Sequence, residues 1–183
     1  MASERPLADR VDRVLSLSAV VAALSAVAVS VYQAQISRQQ QKASAWPYVM
    51  QGNSYARGMP YRWRVENAGV GPARVRTFEV RVDGKPRRRW SDVVRALTGE
   101  SEPALVYTHV GRGTVLLPGT TLEALVLPEN PRTVRFFAGA QTRLSARLCY
   151  CSVYDDCWLS DSDRDEPTPV RECPTDTTRA FQQ

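Results

Sequence analysis

A single histidine, His109, is all the imidazole this chain of 183 residues has. Centres built on two or more histidines are therefore excluded, and no serine, cysteine or acid stands at an interpretable spacing from His109 to make a nucleophile–base pair. G-x-S-x-G, the phosphate-binding G-x-x-x-x-G-K-[ST] loop and H-E-x-x-H are all missing, so hydrolase, nucleotide-binding and zinc-peptidase chemistry lack their usual signatures. Gly111-Arg112-Gly113 reads as a turn, because no helix follows to receive a phosphate. His109 reads as a half-buried strand residue. No enzyme and no cofactor is expected. Cysteine is scarce too: Cys149, Cys151, Cys157 and Cys173 all lie in the last fifth of the chain and constrain only that part.

Charge is missing from one long stretch. Between Arg13 and Arg38 lie 24 uncharged residues, centred on Val14–Val31, VLSLSAVVAALSAVAVSV. At roughly 1.5 Å per residue such a run spans about 30 Å, the height of a bilayer's hydrocarbon core. Nine Leu or Val favour insertion by several tenths of a kcal/mol each, on the order of −0.3 to −0.6. The four serines oppose this modestly, because each hydroxyl can bond a carbonyl of its own helix. A soluble core helix would keep a polar stripe that this one lacks. A cleaved signal would use Ala26-Val27-Ala28, but the run is long and its leading flank is charge-balanced. The reading is a membrane anchor over 14–36, preceded by a tail over 1–13 and followed by a helical linker over 37–45 that Trp46-Pro47 ends. Arg5, Arg10 and Arg13 outnumber Arg38 and Lys42, which favours a cytoplasmic N-terminus. The outer part then lies on the periplasmic side of the inner (plasma) membrane, where disulfides persist.

From Trp46 the pattern changes to short alternating runs cut by Gly and Pro. Tyr61–Val65 alternates. Ala73–Val82 alternates with a switch of parity near Thr77-Phe78, which predicts a bulge, and Asp83-Gly84 closes it as a hairpin. Trp90–Leu97 is the one helical patch, with Ser91 as cap and Gly99 as stop. Further strands are predicted at Ala104–His109, Thr114–Leu117, Thr121–Leu127, Thr133–Phe137 and Thr142–Tyr154. The fold class so predicted is mainly β: an antiparallel, immunoglobulin-like β-sandwich over 46–160 with one short helix. An acidic, proline-bearing loop over 161–183 follows it.

Gln39-Gln40-Gln41-Lys42-Ala43-Ser44-Ala45-Trp46-Pro47-Tyr48, Asn67-x-Gly69-x-Gly71-Pro72-Ala73, Asp83-Gly84-Lys85-Pro86 and Cys149-Tyr150-Cys151-Ser152-Val153-Tyr154 together resemble an uncharacterised family of bacterial single-pass membrane-anchored envelope proteins. The resemblance covers nearly the whole chain and implies a small β-rich domain outside the membrane. It supplies no catalytic residues.

The cysteines are the strongest site signal. Cys149 and Cys151 face one way on a strand, Cys157 follows at hairpin distance from Cys151, and Cys173 could pin the tail through Cys149. Three connectivities are possible, and no metal is expected from a C-x-C spacing. Asp161-Ser162-Asp163-Arg164-Asp165 with Glu172 matches the acidic skeleton of a calcium loop, but Glu166 stands where a glycine is needed. Lys85-Pro86-Arg87-Arg88-Arg89-Trp90 reads as a solvated loop or lipid contact, with no nucleic acid expected. From Arg38 to Tyr154 there are 18 basic against 8 acidic residues, and from Asp155 on 3 against 8. A tail folding back on its body, or a body held near anionic lipid, would satisfy that asymmetry. Functionally the chain reads as an anchored interaction or accessory module. It touches membrane lipid through its helix and an envelope protein through its domain; the alternative is ligand or metal handling at the Cys149/Cys151/Cys157 hairpin and acidic tail.

Overall fold

The computed structural model describes residues 5–102, 104–174 and 181–182, so residues 1–4 of the N-terminal tail and 175–180 and 183 of the acidic tail lie outside the described residues. The chain divides into two compact units, 1–43 and 44–183. The first is built on α1 (Arg5–Ser44), one unbroken helix of 40 residues. It is long and apolar enough to cross a membrane, with a mean hydropathy of 2.4 over its apolar window and none of that window buried. The four serines bond inward: Ser16 Oγ donates to Asp12 O at 2.7 Å, Ser18 to Leu15 O, Ser25 to Val21 O and Ser30 to Ala26 O. Their hydroxyls therefore present no unmet donor to the surroundings.

The second unit holds β1 (Val49–Ser54), β2 (Tyr61–Asn67), β3 (Ala73–Val82), β4 (Lys85–Arg87), α2 (Trp90–Thr98), β5 (Val115–Leu116), β6 (Thr121–Leu127), α3 (Pro131–Arg143), β7 (Leu144–Cys151), β8 (Cys157–Asp161) and β9 (Thr168–Val170). Two antiparallel sheets form, one in the order β1-β2-β6 and one in the order β4-β3-β7-β8-β9, with β5 pairing β3. One core joins them to both helices: Tyr61, Trp63 and Leu125 from the smaller sheet, Val80 and Leu148 from the larger, and Trp90, Val94 and Phe136 from the helices. Across it the Tyr150 hydroxyl of β7 accepts the Val49 N–H of β1 at 3.1 Å. Burial pushes the Tyr150 phenol up to about 12, so it stays a neutral partner.

Mainly β overstates this architecture, which is mixed. The expected strand Thr133–Phe137 is instead the middle of α3. Asn130 caps that helix, its Oδ1 accepting the Thr133 N–H at 3.0 Å, and Pro131 supplies a preset first position. Thr133, Phe136 and Ala140 then share its buried face, a helical spacing that β-branched Thr133 and Val134 concealed. Phe136 meets Tyr61 edge-on at 4.9 Å. The expected strand Ala104–His109 reduces to one bridge, Val106 with Val126, because no longer ladder forms along that edge of β6. The tail expected as loop carries β9, which pairs β8. Ser91 caps nothing: the extended residue before α2 is Arg89, without a side-chain cap, while Gly99 ends the helix in the left-handed region at φ 78°. Asp83 and Gly84, at φ 53° and 73°, make the two-residue turn between Val82 and Lys85.

Asn67 locks the entry of this unit. Fully buried, it accepts the Tyr48 and Gly69 N–H groups on Oδ1, both at 3.1 Å. Its Nδ2 donates to Gly71 O at 2.8 Å and Leu116 O at 3.0 Å. A Cβ at Gly69 or Gly71 would collide with the backbone of residues 45–48, so those glycines are required by close approach. The Asn67-x-Gly69-x-Gly71 motif is thus structural.

Asn67→Ala strands two donors and two acceptors, and is expected to cost about 3 kcal/mol in chemical denaturation of the full chain in detergent. Gly71→Ala is expected to match or exceed it. Glu102, 7% exposed, accepts the Ala104 N–H and the Asn130 amide. Those bonds, the first foremost, and Arg132 hold its carboxyl below the usual range. A depressed folded-state pKa means the contribution is present at neutral pH and is lost as pH falls through it. Glu102→Ala should cost about 1–3 kcal/mol at pH 7, and the gap should begin to narrow as pH falls below the ordinary carboxylate range, about pH 4; urea titrations at pH 7 and through that acid range check this.

Candidate functional site

The site begins with a bulge. Val75 pairs with Tyr150 and Thr77 with Cys149, which leaves Arg76 as the extra residue of β3. Ala73 and Val75 face the core before it; Phe78, Val80 and Val82 face it after. That is the parity switch expected from the sequence, displaced by one residue. Its effect is to leave Arg74 and Thr77 on the outer face, paired with Cys151 and Cys149.

Cys149 and Cys151 share that outer face of β7, and both are buried. Cys151 stands directly opposite Cys157 across the β7–β8 hairpin, and the two form a disulfide; Cys149 is bonded to Cys173, beyond β9. The hairpin turn is set by Ser152, whose N–H donates to Asp156 O at 2.8 Å and whose Oγ accepts from Tyr154 N. Asp155, at φ 61°, projects back over β3. Its carboxylate takes Arg74 at 2.5 Å and Arg76 at 3.2 Å, and Arg74 also donates to Ser152 O.

These groups form one side of a cleft of about 690 Å³, a size ordinary for a small-molecule site. Phe78 and Phe181 give it an apolar floor. Cys151, Cys157 and Cys173 put sulfur in its wall, and His109, Gly111 and Arg112 come from the loop before β5. Arg171 and Glu172 flank Cys173. The loop is fastened to β3: Val75 N–H donates to Thr114 O, and Thr114 N–H to Gly111 O. Arg76, Arg112 and Arg171 against Asp155 and Glu172 give the cleft lining a small cationic surplus. Phe181 closes the floor, edge-on to Trp90 at 4.9 Å and to Phe78 at 5.5 Å.

Of the residues singled out by sequence, Cys151, Cys157, Cys173 and His109 line the cleft, and Cys149 is buried behind it in its bond to Cys173. His109 is an exposed loop residue, not the half-buried strand residue expected, since its segment has only the Val106 bridge. The acidic skeleton does not assemble. Asp161 ends β8, where it binds Arg147 at 2.8 Å and accepts the Asp163 N–H. Cys157 pairs with Val170, so Glu172 lies at the far end of that strand, roughly 13 Å along it at about 3.3 Å per residue. Lys85–Arg87 is strand β4 on a sheet edge. Three of the cysteine sulfurs lie within 4.8 Å of one another, but paired in disulfides they offer a cation no thiolate. Arg76, Arg171 and Phe181 went unnoticed in the sequence, where Arg112 reads only as part of a turn. Only Arg76 had a signal there, its place in the parity switch. No family model matches this chain, and no curated protein matches it in sequence.

The two bridges should differ in what they contribute. With a sequence separation of 24, Cys149–Cys173 should stabilise by about 3.5 kcal/mol in the chain-entropy model, and Cys151–Cys157, with a separation of 6, by about 2.2 kcal/mol. The paired variants Cys149→Ala/Cys173→Ala and Cys151→Ala/Cys157→Ala, compared by denaturant titration, are expected to fall in that order.

Proposed function

We propose that this is a single-pass membrane protein whose second unit is an extracytoplasmic binding module, an accessory to another envelope component, with no catalytic centre of its own. The observation that carries the reading is the combination in one chain of an unburied apolar helix of bilayer length and a domain closed by two disulfides. The helix gains by leaving water, and the disulfides favour the oxidising side. The arginines at positions 5, 10 and 13 favour a cytoplasmic N-terminus, in keeping with the family that the motifs resemble.

Binding rather than catalysis is supported by the cleft's composition. Among the described residues His109 has no hydrogen bond to a hydroxyl or thiol, and the Asp155 carboxylate is taken up by Arg74 and Arg76, which favours binding over catalysis. What the cleft offers is apolar surface beside guanidinium groups, which suits an anionic partner with an apolar body. The hydrogen bond from Val49 to Tyr150 supports reading the two sheets as a sandwich-type pair, whose edge strands β1, β4 and β9 could take a partner's strand. Metal handling at the hairpin is the weaker reading, because the sulfurs are paired and Asp161 and Glu172 stand apart.

Full-length protein is expected to remain with membranes after carbonate washing and to keep its N-terminal helix by mass. A reporter fused after Gln183 should be active only outside the cytoplasm. Leu24→Arg together with Val27→Arg, each costing about 2.5–3.5 kcal/mol at a span's centre, should release the protein. Soluble wild type without detergent, or a reporter active inside, overturns the assignment.

A further inference from the structure

The two disulfides do not lie apart. Cys151 Sγ is 3.8 Å from Cys173 Sγ, so a sulfur of one bridge is almost in contact with a sulfur of the other. Cys151, Cys157 and Cys173 line the cleft, and Cys157 and Cys173 are only half-buried. Cys149 is wholly buried. An incoming thiol can therefore reach Cys157 or Cys173, but not Cys149. Arg76, Arg112 and Arg171 outnumber Asp155 and Glu172 in the same cleft, and that balance favours a thiolate over a thiol.

We infer that this cluster is a thiol–disulfide exchange site, in which a dithiol entering the cleft reduces the protein by two electrons and the remaining bridge becomes Cys151–Cys173. One thiolate of the dithiol attacks Cys157 Sγ. The Cys151–Cys157 bond breaks, a mixed disulfide forms on Cys157, and Cys151 leaves as a thiolate. That thiolate attacks Cys173 Sγ; the Cys149–Cys173 bond breaks, the Cys151–Cys173 bond forms, and Cys149 leaves and takes up a proton. The second thiol of the dithiol then resolves the mixed disulfide. Two electrons have passed to the protein, the dithiol has become a disulfide, and its two protons rest on Cys149 and Cys157. The attacking and attacked sulfurs already lie 3.8 Å apart, and exchange proceeds by direct attack of a thiolate on a disulfide sulfur. The buried position suits Cys149 as a neutral thiol, which behaves as a small apolar group.

The consequence is asymmetric. The segment after β9 stays pinned through Cys173, now to Cys151, while the staple across the β7–β8 turn is lost. Asp155, which neutralises Arg74 and Arg76 from that turn, loses its covalent support. Two-electron reduction would thus loosen one wall of the cleft without freeing the tail. This goes beyond the binding role and does not depend on which side of a membrane the unit occupies.

The test is stepwise reduction of the full chain in detergent with one equivalent of dithiothreitol, acid quenching, alkylation and peptide mass spectrometry. The species with two free thiols should carry label on Cys149 and Cys157 and hold a Cys151–Cys173 bond as its majority form. Label chiefly on Cys151 and Cys157, or chiefly on Cys149 and Cys173, overturns the proposal, because either means the bridges open independently. In Cys149→Ser, the unreduced protein should distribute its single label between Cys157 and Cys173; label on Cys173 alone counts equally against it.

Discussion

The hydrogen bonds of one buried amide hold the second unit to its own beginning. Asn67 ties the chain leaving the helix, at Tyr48, to the Gly69–Gly71 loop and to β5 through Leu116. Its main chain adds two bonds, to Thr120 O and from Gly119 N. Every polar group of the side chain is satisfied, which is the condition under which a buried amide specifies structure rather than weakening it. The effect reaches the cleft. Fixing β5 against β3 fixes Thr114, and Thr114 holds the loop that carries His109 and Arg112.

The acidic tail returns to the basic body, but charge is not the main agent. The ion pairs from Asp155 to Arg74 and Arg76 involve exposed groups and contribute little in water. Stronger attachments are covalent and apolar: the Cys149–Cys173 bond, the β8–β9 ladder and Phe181, which is 5% exposed between Phe78 and Trp90. Phe181 N–H also donates to Phe78 O at 2.9 Å. A compositional trend pointed at the return, and packing carries it out.

Much of the smaller-scale pattern was legible. Ala73–Val82 and Thr121–Leu127 are strands at the bounds their alternation implies, the bulge lies where parity switches, and Asp83-Gly84 is a turn because few residues tolerate two successive positive φ values. Local chemistry failed where two local signals conflicted. Thr133 and Val134 favour strand, yet Asn130-Pro131 starts a helix, and the capping bond to Thr133 together with burial of Phe136 decided the outcome. Ala104–His109 has strand-forming residues but meets the edge of β6 at Val106 alone, and a strand is defined by its neighbour.

By itself the sequence determined a helix of bilayer length, since an uninterrupted apolar run needs no partner to be read. It also determined most strand positions and the side-by-side placement of Cys149 and Cys151, because periods of two and of 3.6 are properties of the backbone. Only the tertiary structure decided that these cysteines meet Cys157 and Cys173, that Arg76, Arg112 and Arg171 border one cleft, and that Phe181 floors it. Such residues are brought together by sheet order and by hairpin register, and neither leaves a trace in the spacing of residues dozens of positions apart.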